Sequence, residues 1–339
     1  MVILYGSFYP FDFYAHQDPR GPLGVLLASR LRSASHDDVI ANIFLYIPFG
    51  FFAACALRQR WFAALAGFAL SLSVELLQFY DHGRFQEISD VCANTLGALL
   101  GVAAVVILGR RLSQVDLALL LVCWLGSRWY PASPPAPSIL AIDLFRFFAA
   151  WLAVGLMLEA LTRSRIALPI FLAVSLAVHA IVSYLEPAEI AGGAAAALLW
   201  TGLLWRVPAR AKITAALFTV LVVLLALSPF HFSSIPREFS WIPFRSLIES
   251  PTGTAIRVFL EKAFYYGGMV WLLARAGFSI GAAAAFGTIL VFALRLLQVY
   301  LPGRSAEITD AILVAMLAAM IKLAALAGKI SPEDHRESA

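Results

Sequence analysis

The sequence predicts an all-α fold: a polytopic bundle of about twelve transmembrane helices, built from parallel four-helix repeats. The chain of 339 residues is 61% hydrophobic and only 14% charged, whereas soluble domains carry about 25% charged residues. Apolar stretches long enough to cross a bilayer recur along the whole chain. In addition, one polar motif occurs twice in this apolar sequence, which indicates an internal repeat.

The repeated motif covers residues 75–90 and 295–310. Nine of its sixteen positions are identical at a constant offset of 220, where chance would give about one. The identical residues include Gln, Arg, Glu and Asp, not only the apolar residues that membrane helices share freely. We therefore expect the architecture to be duplicated along with the motif.

Apolar periodicity predicts twelve spans, at 1–11, 39–57, 61–80, 90–109, 112–129, 142–161, 167–185, 190–205, 213–230, 258–273, 277–297 and 310–327. The first is too short to cross a hydrocarbon core at 1.5 Å per residue. Its counterpart at 213–230 has full length. We favour a natural start upstream of residue 1, and the alternative is a partial first helix.

The short loops alternate between basic and acidic along the chain. Loops rich in Lys and Arg stay on the cytoplasmic side, so both termini are expected on that side. The expected location of the protein is the inner (plasma) membrane. Both copies of the polar motif then face the external side. The first residues lack a basic region and a small-residue cleavage site, so no cleavable signal peptide is predicted.

The spans group into a first four-helix unit (1–111), a degenerate middle unit (112–206), a second copy of the first unit (207–328) and a cytoplasmic tail (329–339). An even number of spans gives all units the same orientation in the membrane. The middle unit depends on fainter matches, such as Arg146 at the position of Asn42 and Lys262. Chance similarity between apolar helices is an equally good explanation for that unit.

Helical spacing places polar pairs on one face of each of three spans: Asp38 with Asn42, Glu75 with Gln78, and Asp90 with Asn94. Polar groups inside a span are costly, so we expect them to point into the bundle and meet one another. The spacing of Gly97 and Gly101 favours close approach of the fourth helix to a neighbour.

Arg84 lies in the external loop, three residues before Glu87. It either clasps Asp90 or Glu87 and fixes the turn, or it forms an anion site for a phosphate or carboxylate. The two roles are compatible.

The second copy keeps most of the polar motif but changes its partners inside the membrane. Gln298, Arg304, Glu307 and Asp310 are retained, whereas Arg295 replaces Glu75 and Lys262 replaces Asn42. One interpretation pairs Glu75 with Arg295 or Lys262 across the repeat. Another is a basic external cavity for an anionic headgroup, built by the last unit. A third has the neighbouring Glu261 neutralise Lys262 locally.

Other functional classes find little support in the sequence. Cys55, Cys92 and Cys123 lie in apolar runs without metal-ligand spacing, and no cofactor or metal motif is found. A Gly-x-Ser-x-Gly match at 277–281 lies in an apolar helix rather than a strand-turn-helix, so a hydrolase is rejected. We expect a protein that is not an enzyme and has no nucleic-acid partner.

The external segments 14–37 and 231–256 are too long for turns and too apolar for free loops. They either lie on the outer leaflet or form a lid packed on the helix ends.

At these residues the chain resembles the VanZ-like membrane family. The family pattern is matched at two clusters: Asp38, Asn42, Phe44, Pro48 and Gly50, then Glu75, Gln78, Arg84, Asp90, Asn94 and Gly97. The resemblance is specific over 5–109 and degenerate over 213–327. It implies a cell-envelope protein, in a family linked to resistance to the glycopeptide antibiotic teicoplanin.

Two functions remain open from the sequence. The first is binding of an anionic lipid or lipid-linked headgroup at the outer leaflet, with membrane lipids and a lipid-linked cell-wall precursor or glycopeptide as partners. The alternative is a secondary transporter that uses the intramembrane charges Glu75, Lys262 and Arg295.

Overall fold

The structure is a computed structural model. It describes residues 2–9, 11–15, 18–29, 36–57, 59, 61–82, 84–108, 114–129, 141–182 and 185–327. The predicted tail 329–339, several of the loop arginines and the side chain of Asp38 lie outside the described residues. The chain divides into two compact units: Met1–Ser113 together with Leu323–Ala339, and Gln114–Lys322. The last residues of the final helix therefore belong to the first unit.

The first unit contains five helices: α1 (Val2–Phe8), α2 (Gly21–Ala28), α3 (His36–Ala56), α4 (Trp61–Gln78) and α5 (Ile88–Leu108). The second unit begins with α6 (Val115–Trp129), α7 (Ala141–Thr162), α8 (Ala167–Val182), α9 (Pro187–Gly202) and α10 (Arg210–Leu227). It continues with α11 (Arg245–Ile248), α12 (Thr252–Arg275), α13 (Ile280–Leu297) and α14 (Thr309–Ala327).

The predicted all-helical fold is confirmed, and each of the twelve predicted spans coincides with one of these helices. Isolated bridges such as Phe13 with Asp81 are the only strand pairing among the described residues. Within those residues seven helices are long and apolar enough to cross a membrane. The charges of α12 lower its apolar character, and the total number of spans stays a prediction.

Glycines on α3 and α5 allow these two helices to pack backbone against backbone. A Cβ on Gly97 would overlap the carbonyl oxygen of Ile43, and one on Gly101 would overlap that of Ile47. A Cβ on Gly50 of α3 would likewise overlap the backbone of Ala98. The predicted close approach of the helix that carries Gly97 and Gly101 is therefore confirmed.

Helix α7 forms the centre of the second unit. Its residues from Ala149 to Leu158 are all buried, as expected for a helix that is apolar around its whole circumference. Trp124 of α6 packs edge-on against Trp151 of α7, with ring centroids 5.9 Å apart. Phe264 brings α12 onto the same cluster, 4.7 Å from the Trp124 ring.

The external segments rest on the loops that join neighbouring helices. The backbone N–H of Tyr14 donates to the Tyr80 carbonyl at 2.8 Å. In the second unit the N–H of Ser240 donates to the Ala306 carbonyl at 2.8 Å, and Ile308 donates back to Ser240 at 3.1 Å. These contacts favour the lid interpretation over segments that lie freely on the leaflet.

Candidate functional site

Asp310, in the first turn of α14, is the centre of a buried polar cluster in the second unit. Its side chain has no exposed surface. Lys262 Nζ lies 2.7 Å from its Oδ1, and the Tyr266 hydroxyl donates to its Oδ2 at 2.6 Å. The guanidinium of Arg295 forms an ion pair with the same Oδ2. One carboxylate thus pairs with two cations and orients them.

Arg295 and Gln298 extend the cluster along the end of α13. Arg295 Nη2 donates to the Tyr266 hydroxyl at 2.8 Å, and its Nη1 donates to Gln298 Oε1. The amide of Gln298 donates in turn to the carbonyl oxygen of Ala226, at 2.6 Å. This chain of hydrogen bonds fixes the orientation of a buried arginine.

A cavity of about 310 Å³ opens beside this cluster. Its polar lining consists of Arg146, Glu261, Lys262, Tyr265, Tyr266, Arg295, Gln298 and Arg304. Its apolar wall is formed by Val222, Leu225, Ala226 and Val258. Cationic groups together with aliphatic groups are the surfaces that an amphiphile with a charged headgroup requires.

Arg146 of α7 pairs with Glu261, with 2.8 Å between Nη2 and Oε1, and its Nε donates to the Tyr265 hydroxyl at 3.2 Å. The prediction that Glu261 neutralises its neighbour Lys262 is therefore wrong. Adjacent residues on a helix point in different directions, so the two charges of α12 reach different partners.

Arg304 enters the cavity from the loop after α13. Its Nε donates to the Ser228 carbonyl oxygen at 2.8 Å. Burial, with the positive charge of Arg295 nearby, lowers the pKa of the Arg304 guanidinium from its ordinary value, although an arginine stays protonated at neutral pH. Arg237 holds this loop in place because its Nη2 donates to carbonyl oxygens of Gln298, Leu301 and Arg304.

Glu307 fixes the lid segment above the helix ends. It is buried, and its carboxylate accepts a hydrogen bond from the Ser246 hydroxyl at 2.6 Å. The N–H of Phe244 donates to the Thr309 hydroxyl at 2.7 Å. Glu307 therefore has a structural role at the cavity margin.

The cavity is lined by more cations than carboxylates. Its cations are Arg146, Lys262, Arg295 and Arg304. Glu261 pairs with Arg146, while Asp310 is shared between Lys262 and Arg295. The carboxylates of Glu186 and Glu307 lie near enough to act on Arg146 and Arg295 as well. No ion pair to Arg304 is found among the described residues, so Arg304 is the cation that can attract an anion into this partly desolvated space.

The corresponding region of the first unit is acidic. Glu75 of α4 is buried, and its Oε2 accepts a hydrogen bond from the Glu87 backbone N–H at 3.0 Å. Gln86 donates to the Glu75 carbonyl oxygen at 2.5 Å. The carboxylates of Glu87 and Asp90 lie close enough to repel that of Glu75. These acids would attract a proton or a cation rather than an anion.

Asn94 and Ser71 join α5 to α4 below this acidic region. The Asn94 amide donates to the Ser71 hydroxyl at 3.0 Å, and both residues are buried, as expected for polar groups inside a span. Asn42 is half-buried. Its predicted partner Asp38 has a side chain outside the described residues, so that pairing stays a prediction.

Arg84 and Gln78 tie the loop after α4 to the first helix. Arg84 is exposed, and its Nη2 donates to the Gly6 carbonyl oxygen at 3.3 Å. The predicted clasp therefore has a backbone carbonyl as its acceptor in place of Asp90 or Glu87. The amide of Gln78 donates to the carbonyl oxygen of Ser7, at 3.2 Å.

Comparison with known families bears on this first unit. The VanZ/LLP1 family model matches residues 2–109. This part of the chain is similar to the VanZ/LLP1 family and is called the VanZ-like unit below. Neither the curated proteins nor the solved structures gave a match.

Contacts of the VanZ-like unit recur at corresponding positions of the second unit. The bond from Gln78 to Ser7 has its counterpart in Gln298 to Ala226. The bond from Tyr14 N to Tyr80 O, at 2.8 Å, has its counterpart in Ser233 N to Tyr300 O, at 2.7 Å. The turn residues Phe11 and Phe230 both have positive φ angles, of 68° and 65°.

The two regions have these contacts in common but differ in charge. Glu75 of the VanZ-like unit stands where the second unit has Arg295, and Asn42 where it has Lys262. Sequence reasoning missed Tyr266, which bridges Arg295 and Asp310. Its only sequence signal is that Tyr46 of the VanZ-like unit lies at the same offset of 220.

A further buried ionic cluster was also missed from the sequence. Arg128, at the end of α6, bonds Glu189 of α9 at 2.8 Å, and His179 Nδ1 lies 3.0 Å from the same Glu189 oxygen. Arg128 also approaches Glu186 at 3.2 Å. These residues lack the repeated motif that marks the others. Their one signal is that each charge adjoins the end of an apolar run.

No metal site is found in the parts of the chain that the structure describes. No group of three His, Cys, Asp or Glu side chains there is arranged to hold a metal ion. Cys55, Cys92 and Cys123 form no disulfide within the described residues.

Proposed function

We propose that this protein binds the anionic headgroup of a lipid, or of a lipid-linked molecule, in the cationic cavity of its second unit. The observation that supports the proposal is that Arg304 lines the cavity without an ion pair among the described residues, while Lys262 and Arg295 share the one carboxylate of Asp310. Uncompensated cations in a partly desolvated site are costly. An anionic ligand would remove that cost.

The membrane is the expected source of the ligand. The aliphatic wall of Val222, Leu225 and Val258 adjoins the cationic groups, so a headgroup and the first part of its chain can be held together. The positive-inside rule assigns the polar motif to the external side of the inner membrane, with both termini cytoplasmic. The ligand would then come from the outer leaflet.

A role in the cell envelope follows from this assignment. Resemblance to the VanZ-like family supports it, since that family is linked to resistance to the glycopeptide teicoplanin. A lipid-linked cell-wall precursor has both an anionic headgroup and a long apolar chain. We propose such a precursor, or the glycopeptide that binds it, as the partner.

We also propose that the second unit contains a diverged copy of the VanZ-like unit. The support is the recurrence of the contacts of Gln78 and Tyr14 at Gln298 and Ser233, together with the repeated motif. Divergence of Glu75 to Arg295 would have made the second copy the anion site and left the first acidic. The boundaries 1–111, 112–206 and 207–328 remain part of this proposal.

Binding by the Arg304→Gln variant tests the proposed function. We expect the affinity for an anionic lipid to fall about tenfold or more, because a charge-assisted contact in a desolvated site is lost. The measurement is lipid binding to the purified chain by native mass spectrometry. Arg84→Gln is the matched control, because Arg84 is the arginine of the first unit that corresponds in sequence to Arg304, and its guanidinium is exposed. Equal affinities of the two variants and the unmodified protein would contradict the proposal.

Transport is the second candidate, and the observation that favours it is the buried carboxylate of Glu75. No ion pair to Glu75 is found within the described part of the chain, and unpaired carboxylates inside a membrane are typical of proton and cation pathways. A transporter would use Glu75 together with Lys262 and Arg295. Flux of the bound lipid or of protons in proteoliposomes, lost in Glu75→Gln, would favour transport over simple binding.

A further inference from the structure

The geometry points to a phosphate monoester, a headgroup with two negative charges, as the preferred ligand of the cavity over a singly charged phosphate diester. This inference builds on the proposed function and specifies the chemical class of its ligand.

The first argument is ion pairing, which favours a dianion. Arg146 pairs with Glu261. Lys262 and Arg295 share the single carboxylate of Asp310, and the buried carboxylate of Glu307 acts on Arg295 from farther away. Arg304 forms no ion pair among the described residues. A monoester dianion can pair with Arg304 and with the cations that share Asp310 at the same time, whereas a diester anion leaves one of these positions without a close counter-charge, which is costly in a site of low dielectric.

The second argument is the number of unused donors that face the cavity. Arg304 uses its Nε for the Ser228 carbonyl, and its two terminal nitrogens have no acceptor among the described residues. Arg295 Nε is buried without a partner in the same part of the chain. Lys262 uses one of its three protons for Asp310. Three terminal oxygens of a monoester can accept from such a set, whereas a diester offers only two.

The third argument is space. A volume of about 310 Å³ is at the lower end for ligand pockets. A monoester carries one substituent, which can leave along the aliphatic wall formed by Val222, Leu225 and Val258. A diester must place a second substituent in the same small volume.

Competition between two lipids tests the inference. The full chain is placed in phosphatidylcholine nanodiscs that contain either dioleoyl phosphatidic acid, a monoester, or dioleoyl phosphatidylglycerol, a diester. At pH 8 we expect phosphatidic acid to bind about tenfold tighter, the effect of one additional charge-assisted contact. Arg304→Gln should lose this preference, and Arg84→Gln should keep it.

The outcomes separate the two proposals. Equal binding of both lipids, with loss of binding in Arg304→Gln, overturns the monoester preference and leaves the proposed function intact. Absence of binding by either lipid overturns both the monoester preference and the proposed function.

Inorganic phosphate and glycerol phosphate distinguish the source of the ligand. Displacement of phosphatidic acid by either at millimolar concentration supports the monoester chemistry and extends it to soluble phosphates, whereas failure to displace supports a lipid monoester that needs its chain.

The pH dependence provides a second test. The charged and titratable groups around the cavity are Arg128 on α6, Arg146 on α7, Glu186 before α9, Glu261, Lys262, Tyr265 and Tyr266 on α12, Arg295 on α13, Arg304 and Glu307 in the following loop, and Asp310 on α14. The second ionisation of a phosphate monoester occurs near pH 6. Affinity for phosphatidic acid should therefore rise between pH 5 and pH 8 while that for phosphatidylglycerol stays constant, and parallel profiles would overturn the inference.

Discussion

The Asp310→Asn variant is expected to unfold at a temperature lower by roughly 10 °C, which corresponds to a loss of about 3–5 kcal/mol in the free energy of unfolding. Asp310 is fully buried and neutralises both Lys262 and Arg295. An amide in its place leaves two buried cations without a counter-charge. Thermal unfolding of the purified chain in detergent measures the effect.

Two further variants show whether the loss has this cause. Asp143→Asn is the matched control, since Asp143 also lies in the first turn of a helix but forms no ion pair in the described structure. It should lose only the small interaction with the helix dipole, about 0.3–1 kcal/mol. Combining Asp310→Asn with Lys262→Met restores the original charge balance around Arg295 and should recover most of the stability. A double variant as unstable as the single one would contradict the assigned role of Asp310.

The Gly101→Ala variant is expected to destabilise the VanZ-like unit by about 1–3 kcal/mol, even though alanine is the better helix former. A Cβ at this position overlaps the carbonyl oxygen of Ile47 and the backbone nitrogen of Phe51. Both obstacles belong to the backbone of α3 and cannot rotate away. The two helices must therefore separate, which the same thermal unfolding measurement detects.

Gly281→Ala is the matched control for that variant. Gly281 also lies in a helix, and a Cβ there meets no atom within 4 Å. The gain in helix propensity should then stabilise this variant by up to about 1 kcal/mol. If both alanine variants were equally stable, close backbone packing between α3 and α5 would be disproved.

Much of the fold was predictable because apolar stretches of bilayer-spanning length are a strong signal. Helices α4, α5 and α7 lie within two residues of the predicted spans at both ends. The close contact through Gly97 and Gly101 was also predictable, since small residues four apart permit backbone approach. The number of helices that cross the membrane does not follow from apolar character alone, because α12 carries charges in its first half.

The candidate site was predictable in composition but not in pairing. The repeated motif identified Arg295, Gln298, Arg304 and Asp310 as polar residues of one region. Which acid meets which base depends on helix rotation, so the sequence left the partner of Lys262 open between Glu75 and Glu261, whereas in the structure Glu261 reaches Arg146 and Lys262 reaches Asp310. Tyr266 was overlooked because an aromatic residue in a span is more often apolar packing than a hydrogen-bond bridge.

The cluster of Arg128, His179 and Glu189 shows a second limit. These residues are separated by about fifty to sixty positions in two of the three pairings and come together only through the packing of α6, α8 and α9. Nothing in local spacing relates them. Charges at the ends of apolar runs are ordinarily solvated, so only the tertiary structure reveals that this set is buried.

The most direct test of the central claim is an experimental structure of the chain purified with phosphatidic acid, by electron cryo-microscopy. The proposed function predicts headgroup density in the cavity, with phosphate oxygens at about 2.7–2.9 Å from the terminal nitrogens of Arg304 and the acyl chain along Val222 and Val258. An empty cavity in a map that resolves these side chains, or a headgroup bound at Arg84 instead, would contradict it.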